Sequence, residues 1–313
     1  MKLKKPNFWD YKEPNIISYF LLLFTFPLII NNFLLNRKTK KNIEKKIKSI
    51  CVGNIYVGGT TKTPLTIKID QILKNNNFKT ATIKKFYKDQ TDEQALLKKK
   101  TKLYCFKSRK LSIKAAIIDG IEVAIFDDGL QDLSINYDLS FVCFNNKTWI
   151  GNGLLIPAGP LREKIESLKK YDAVFLNGDQ NSVSEIRQLI KKINKNIKIF
   201  ETIYVPINTK KLHTHHKYVA FSGIGNPESF IKTLIDNDYD IIKEFKFPDH
   251  HQYSIKDIHK IKIFAKKLNA RIITTEKDYI KLKPDDVNDI EFLEVELMIK
   301  NENELINFIK SAI

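Results

Sequence analysis

Two adjacent glycines, Gly58 and Gly59, stand just before Lys62 and Thr63 in the run SICVGNIYVGGTTKTPLTIKI, residues 49–69. An apolar, β-prone stretch (Ile50, Cys51, Val52) enters this glycine-bearing loop, and residues 63–74 leave it with the pattern of a helix. Strand, loop and helix in that order make a phosphate loop. Gly58 and Gly59 let the backbone come close to an anion, Thr60 and Thr61 complete the loop, and the helix N-terminus adds partial positive charge. The Lys62 ammonium can reach β/γ-phosphates, and the Thr63 hydroxyl can join a magnesium shell. Pro64 is tolerated because the first helical turn has no intrahelical use for its N–H. Where the standard pattern has glycine, directly before the lysine and five residues earlier, this chain has Thr61 and Tyr56.

Other chemistry-bearing residues cluster downstream. EVAIFDD ends an apolar strand in Asp127 and Asp128, either of which can hold a magnesium ion or its water shell beside a phosphate loop; Gln131 follows in DDGLQD. GNGLLIPAGPLREK, residues 151–164, is rich in Gly and Pro yet apolar, and it fixes Arg162 and Glu163 after a rigid turn. A guanidinium so placed can serve a phosphate or a surface salt bridge. Asp92 and Glu93 fall in a polar loop after the second strand, where a carboxylate could act as base. FPDHHQYS places Asp249, His250 and His251 just beyond a strand, and imidazole beside carboxylate is a proton-transfer element. The tract His213, His215, His216 lacks a clear fourth metal ligand.

The 313 residues suffice for about two domains. A net charge of +17 favours an anionic partner such as acidic lipid headgroups or phosphorylated substrates. Lysines are scattered among Asn and Ile, with no basic–aromatic patch, so nucleic acid is not expected. Three cysteines, Cys51, Cys105 and Cys143, are too few for a disulfide framework; they fit a reducing compartment and are expected to be buried. Residues 14–36 carry no charge and are flanked by Lys4, Lys5, Arg37 and Lys38. That is borderline for a span of about 20 apolar residues, and it reads as a membrane-anchoring helix lying in or dipping into the bilayer, with a full span and a buried core helix as the alternatives.

From residue 45 strands and helices alternate. Strands are expected at 47–54, 79–84, 102–106, 122–126, 139–144, 173–177 and 197–204, with helices at 63–74, 92–99, 108–119 and 182–193. This predicts a P-loop-type, mostly parallel α/β sheet with helices on both faces, and sites at the carboxyl ends of its strands. A polar stretch at 207–217 reads as a linker. A smaller α/β unit over 218–313 follows, including one strand at 292–295 and a helix at 302–309. The expected divisions are therefore 1–44, 45–206, 207–217 and 218–313.

Taken together, the motifs resemble the tetraacyldisaccharide 4′-kinase family, in one order over nearly the whole chain: VGNIYVGGTTKTP (52–64), TDEQALL (91–97), FDDGLQD (126–132), GNGLLIPAGPLRE (151–163), FSGIGNPESF (221–230), FPDHHQY (247–253) and TTEKD (274–278). The resemblance implies ATP- and magnesium-dependent phosphorylation of the 4′-hydroxyl of tetraacyldisaccharide 1-phosphate. It also implies action at the cytoplasmic face of the bacterial inner membrane, and two domains joined by a two-stranded hinge. By motif it places a catalytic pair on Asp92 and His250 (or His251), and phosphate binding on 58–63 with Lys62 central. Metal binding falls on Thr63 with Asp127 or Asp128, and substrate contacts on Arg162, Glu163, Arg109 and Gln131. The chain departs from the family at Thr61 (usually Gly), Asp132 (usually His) and 85–88, where KFYK replaces an Arg-Gly-Tyr-Gly-type run. Two alternatives are a membrane-associated partitioning-type ATPase, which would need a lysine just before the glycines, and a basic membrane-binding protein with a degenerate loop.

Overall fold

Eight strands form the main sheet, and the burial of its central strands follows from their composition. The computed structural model describes residues 5–27, 29–30, 41–42, 47–132, 134–178, 183–209, 212 and 216–313. The strands are β2 (Lys48–Gly53), β3 (Thr80–Lys85), β4 (Leu103–Phe106), β5 (Val123–Asp127), β7 (Leu139–Asn145), β8 (Ala173–Asn177), β9 (Lys198–Pro206) and β14 (Val295–Ile299), in the order β14-β9-β8-β7-β2-β5-β3-β4. The short pair β1 (Lys41–Asn42) and β6 (Ile135–Asn136) stands apart. From β9 through to β4 every pairing is parallel. β5 and β8 are buried throughout, which is why they read as near-continuous apolar runs.

Side chains alternate across the sheet. Val142 and Phe144 of β7 join a core that includes Ile113 and Ala116 of α4 (Arg109–Ile118) and Ile186 and Ile190 of α5 (Val183–Ile193). The intervening Phe141 instead meets Phe308 of α9 (Glu302–Ala312), ring centroids 6.3 Å apart. Cys51 and Cys143 are buried as expected, while Cys105 is only partly so.

A second sheet has the order β11-β10-β12-β13, all parallel: β10 (Lys217–Ser222), β11 (Asp240–Lys246), β12 (Arg271–Thr275) and β13 (Ile290–Leu293). The helices α6 (Pro227–Ile235) and α7 (Ile255–Lys267) contribute Phe230 and Leu234, and Ile258 and Ile261, to its two cores. One strand was expected at 292–295; the chain instead breaks at Glu294 into β13 and β14, and Asn208 accepts the Glu294 N–H at 2.9 Å.

The compact units are discontinuous in sequence. One comprises residues 1–86, 100–203 and 297–313, and the other 87–99 and 204–296. The linear divisions 45–206, 207–217 and 218–313 do not coincide with them. The segment containing α3 (Thr91–Lys100) belongs largely to the second unit, and α9 belongs to the first, where Phe308 packs on the large sheet.

The N-terminal stretch is helical but not uniformly α-helical in the described residues. α1 (Ile16–Leu21), capped by Asn15, gives way to a 3₁₀ turn at Leu22–Thr25, and α-helix resumes at residues 26, 27, 29 and 30. Pro27 lacks an N–H to continue an α-helical ladder, and the Thr25 hydroxyl bonds back to the Leu22 carbonyl at 2.7 Å. No described helix is long and apolar enough to cross a membrane. The burial pattern is inverted: Ser18 and Thr25 are buried, whereas Ile16 is 84% exposed and Leu23 78%. Residues 31–36 of the expected anchor, and 210–211 and 213–215 of the expected linker with two of its histidines, lie outside the described residues.

Candidate active site

Parallel pairing brings the carboxyl ends of β2, β3 and β5 side by side. Val52 lies in register with Asp127, and Asp127 with Lys84. Beyond β2 the chain turns through 54–61 into α2 (Lys62–Asn75). Gly58 has φ 138°, a conformation that glycine adopts without strain. Thr61, at the N-cap of α2, has φ 67°, so a β-branched residue occupies the left-handed region that suits glycine better. Asn54 braces the loop from below, its amide donating to the Thr60 hydroxyl at 2.7 Å. The 151–164 segment braces it from the side: the Val57 N–H donates to the Pro160 carbonyl at 2.9 Å, and the Arg162 N–H to the Ile55 carbonyl at 2.7 Å. Tyr56, in a position where the standard loop has glycine, is buried and pairs with Leu161.

Thr63 and Asp127 come together as the motifs require, with the Thr63 hydroxyl donating to Asp127 Oδ2 at 3.1 Å. The Thr66 hydroxyl adds a bond at 3.4 Å. The shortest bond to Asp127, however, comes from Lys84 Nζ at 2.6 Å, and Lys84 is only 1% exposed. Sequence reasoning missed Lys84, taking it as the end of a strand. Asp128 follows in the left-handed region at φ 56°. Burial alone would raise its pKa, but Lys62, Arg162, Lys84 and Arg109 outweigh burial and hold it below the ordinary carboxylate value. Hard oxygen donors suit magnesium. Among the described residues no group of three Asp, Glu, His or Cys side chains could hold a metal alone. A hydroxyl and one or two carboxylates, completed by phosphate oxygens, form a donor set that magnesium accepts, so Thr63, Asp127 and Asp128 fit it.

The expected substrate residues are tied to one another. Arg162 donates to Asp128 Oδ1 at 3.2 Å and to Gln131 Oε1 at 3.1 Å. Gln131 donates to the Asn54 carbonyl and to Glu163, both at 3.0 Å, and Glu163 accepts from the Tyr171 hydroxyl. Arg109 is buried, donating to Asp132 at 3.0 Å and to the Asp128 carbonyl at 2.7 Å. Its guanidinium therefore clamps the turn that carries Asp128, and Asp132 supplies the counter-charge.

The second unit holds the other expected pair. Asp92 sits in the first turn of α3 rather than in a loop, and is buried. Nδ1 of His250 lies 2.9 Å from both Asp92 oxygens. His251 instead meets Asp257 at 3.2 Å, so His250 is the partner of Asp92. Lys277 lies 3.4 Å from Asp92. Burial would raise the Asp92 pKa, but the His250 bond and the charges of Lys277, His250 and Lys281 carry it well below the usual range.

Comparison with known proteins covers nearly the whole chain. The profile of the family described as Tetraacyldisaccharide-1-P 4′-kinase matches residues 16–313. The chain belongs to this family. A relative named tetraacyldisaccharide 4′-kinase, from Pelagibacter ubique, is 51% identical over 308 residues, covering 98% of this chain and 97% of its own. Another of that name, from Rickettsia canadensis, is 35% identical over 323 residues, covering 97% and 95%. A crystal structure described as the "apo" form of LpxK from Aquifex aeolicus in complex with ATP shares the fold, with TM-score 0.70 and 22% identity over 95% of this chain and 99% of that one. In this member of the tetraacyldisaccharide-1-P 4′-kinase family, residues 54–61 run from β2 into α2, and Asp127 ends β5 with Asp128 just beyond it.

Proposed function

We propose that this chain uses ATP to phosphorylate the 4′-hydroxyl of tetraacyldisaccharide 1-phosphate, giving lipid IVA. The observation that carries the proposal is the Thr63–Asp127 bond at the mouth of a braced phosphate loop, in a chain matching the kinase family over 16–313. Lys62 and the amides of 58–61 would hold the ATP phosphates. Thr63 with Asp127 or Asp128 would hold magnesium, which when bound neutralises charge on the phosphate oxygens. Arg162, anchored on Asp128 and Gln131, would meet a phosphate of ATP or of the lipid. Asp92, oriented by His250, would accept the hydroxyl proton. A loose transition state releases that proton late, so a carboxylate of low basicity suffices.

The exposed side chains of Ile16, Ile17, Phe20, Leu23, Phe24 and Phe26 support a membrane surface as partner. With the lipid substrate, they support action at the cytoplasmic face of the inner membrane, held there by an N-terminal anchor. The test is direct: purified protein, Mg-ATP and the disaccharide 1-phosphate lipid should give a product with a second phosphate. Absence of that product, with the protein folded and ATP bound, would overturn the reading.

A further inference from the structure

The TTEKD run builds a small rigid turn. Thr275 caps α8 (Glu276–Tyr279), accepting the Asp278 N–H at 3.1 Å and donating its hydroxyl to Asp278 Oδ2 at 2.8 Å. Asp278 also takes the Gly223 N–H at 2.9 Å and pairs with Lys281 at 2.5 Å. The turn fixed in this way aims Lys277 among three carboxylates. Its Nζ lies 3.4 Å from Asp92 Oδ2, 3.7 Å from Glu93 Oε1 and 3.3 Å from Asp249 Oδ1. The His250 ring joins the same cluster: Nδ1 faces Asp92, while Nε2 is 3.8 Å from Glu93 and 3.7 Å from Asp249. Lys281 is a second cation, but at 3.9 Å from Asp92 it is the more distant one and is committed to Asp278. A lysine suits such a place, because a compact ammonium can serve several acceptors without a preferred plane.

We propose that Lys277 is a positioning residue for phosphoryl transfer: its ammonium gathers Asp92, Glu93 and Asp249 around the His250 ring and fixes Asp92 as an ionised carboxylate against Nδ1. The inference rests on the reading of Asp92 and His250 as the proton-handling pair. Without the cation, three carboxylates would crowd one another, and like charges so close favour protonation or displacement of one of them. The groups facing Asp92 are Glu93 on its own helix, Asp249 and His250 on the loop after β11, and Lys277, Asp278 and Lys281 on or after α8. Tyr253 also feels the charge of Asp92. Burial would lower the Lys277 pKa, yet Asp249, Glu93 and Asp92 keep it above its ordinary value, so the ammonium stays charged.

The experiment compares Lys277→Met and Lys277→Arg in the wild-type and Asp92→Asn backgrounds, each checked by thermal melting. A positioned general base contributes about 100- to 10,000-fold, and losing its alignment should forfeit about 10- to 100-fold of kcat. The KM for ATP should stay within about twofold, the arginine variant should recover part of the loss, and the acid limb of the kcat profile should move to higher pH in Lys277→Met. In the Asp92→Asn background, Lys277→Met should cost less than about twofold more, because residues acting as one unit are not additive. Equal losses in both backgrounds, or an unmoved acid limb, would overturn the inference. Wild-type turnover by Asp92→Asn alone would instead sink the proton-handling pair on which it rests. If Lys277→Met fails to fold, Lys277→Gln and the ¹⁵N shifts of the His250 ring in substrate-free protein make the same comparison, and unchanged ring shifts count against the inference.

Discussion

Replacing Lys84 by Met should destabilise the protein through Asp127, and the contacts set the size of the effect. Asp127 has three donors: the Lys84 ammonium at 2.6 Å and the hydroxyls of Thr63 and Thr66 at 3.1 and 3.4 Å. Both members of the ion pair are buried, so water cannot replace the lost ammonium. Removing one partner of a buried pair costs about 3–5 kcal/mol, because it leaves the other charge uncompensated. The two hydroxyls remain, so the lower end applies, about 3 kcal/mol. At about 2–4 °C per kcal/mol for a domain of this size, the melting temperature should fall by about 6–12 °C. The assay is thermal unfolding in EDTA, where no divalent ion can stand in for the ammonium. Lys84→Met combined with Asp127→Asn removes both charges and should recover most of the loss. Magnesium should stabilise Lys84→Met more than wild type, since the uncompensated charge on Asp127 would then attract the ion. Lys84→Met melting within about 2 °C of wild type would refute the reasoning. A double variant as unstable as the single one would show that packing, not an orphaned carboxylate, sets the cost.

Lys62→Ala should abolish turnover while leaving the melting temperature within a few degrees, because it removes a charge at the phosphates from the end of an otherwise braced loop; single-turnover kinetics and calorimetry together check this. Leu23→Asp with Phe24→Asp should reduce co-sedimentation with anionic vesicles at high salt without lowering the melting temperature, since both side chains are exposed. The Asp92 carboxyl, depressed in the folded state, stabilises the fold above its unfolded pKa of about 3.9 and loses that contribution as pH falls below it toward the folded value. Asp92→Asn should therefore flatten the loss of stability between about pH 5 and pH 3, measurable by urea titration across that range.

What could be read from the sequence and what could not divide along physical lines. Strands buried on both faces, such as AVFLN in β8 and VAIFD in β5, announce themselves by continuous apolar residues. The phosphate loop shows through its glycines and the lysine that follows. Lys84 does not, because a lysine at a strand end ordinarily points to water, and only the register of β3 on β5 sets it beside Asp127. The four-residue α8 is too short to carry a periodicity, so Lys277 was visible only as one letter of a motif. The assignment of residues 87–99 and 297–313 depends on contacts far apart in sequence, which no local pattern encodes. The uncharged stretch 14–36 was plain; that its two hydroxyl residues, Ser18 and Thr25, turn inward while its apolar ones turn out was not.

Residues around the start of that stretch are sewn to Tyr56 of the glycine-bearing loop and to the 151–164 segment. The Trp9 indole donates to the Pro157 carbonyl at 3.0 Å, and the Trp9 carbonyl accepts the Asn152 N–H at 3.0 Å. The Asn152 amide reaches the Ser18 hydroxyl at 3.0 Å. The Tyr56 hydroxyl bonds to Asp10, and Lys5 reaches that same hydroxyl at 2.6 Å. A methyl group on Gly151 would come within 2.0 Å of the Trp9 carbonyl oxygen, so the fit leaves no slack. The N-terminal stretch and the glycine-bearing loop are therefore packed as one part. Cutting the chain before the phosphate loop to make it easier to handle would strip the cover from Tyr56 and leave Asn152 without Ser18, changing the very loop whose activity is to be measured. A variant with a more polar N-terminal surface that still reports on the enzyme is better made by exchanging Ile16, Phe20 and Leu23, which are exposed, while Trp9, Asp10 and Ser18 stay in place.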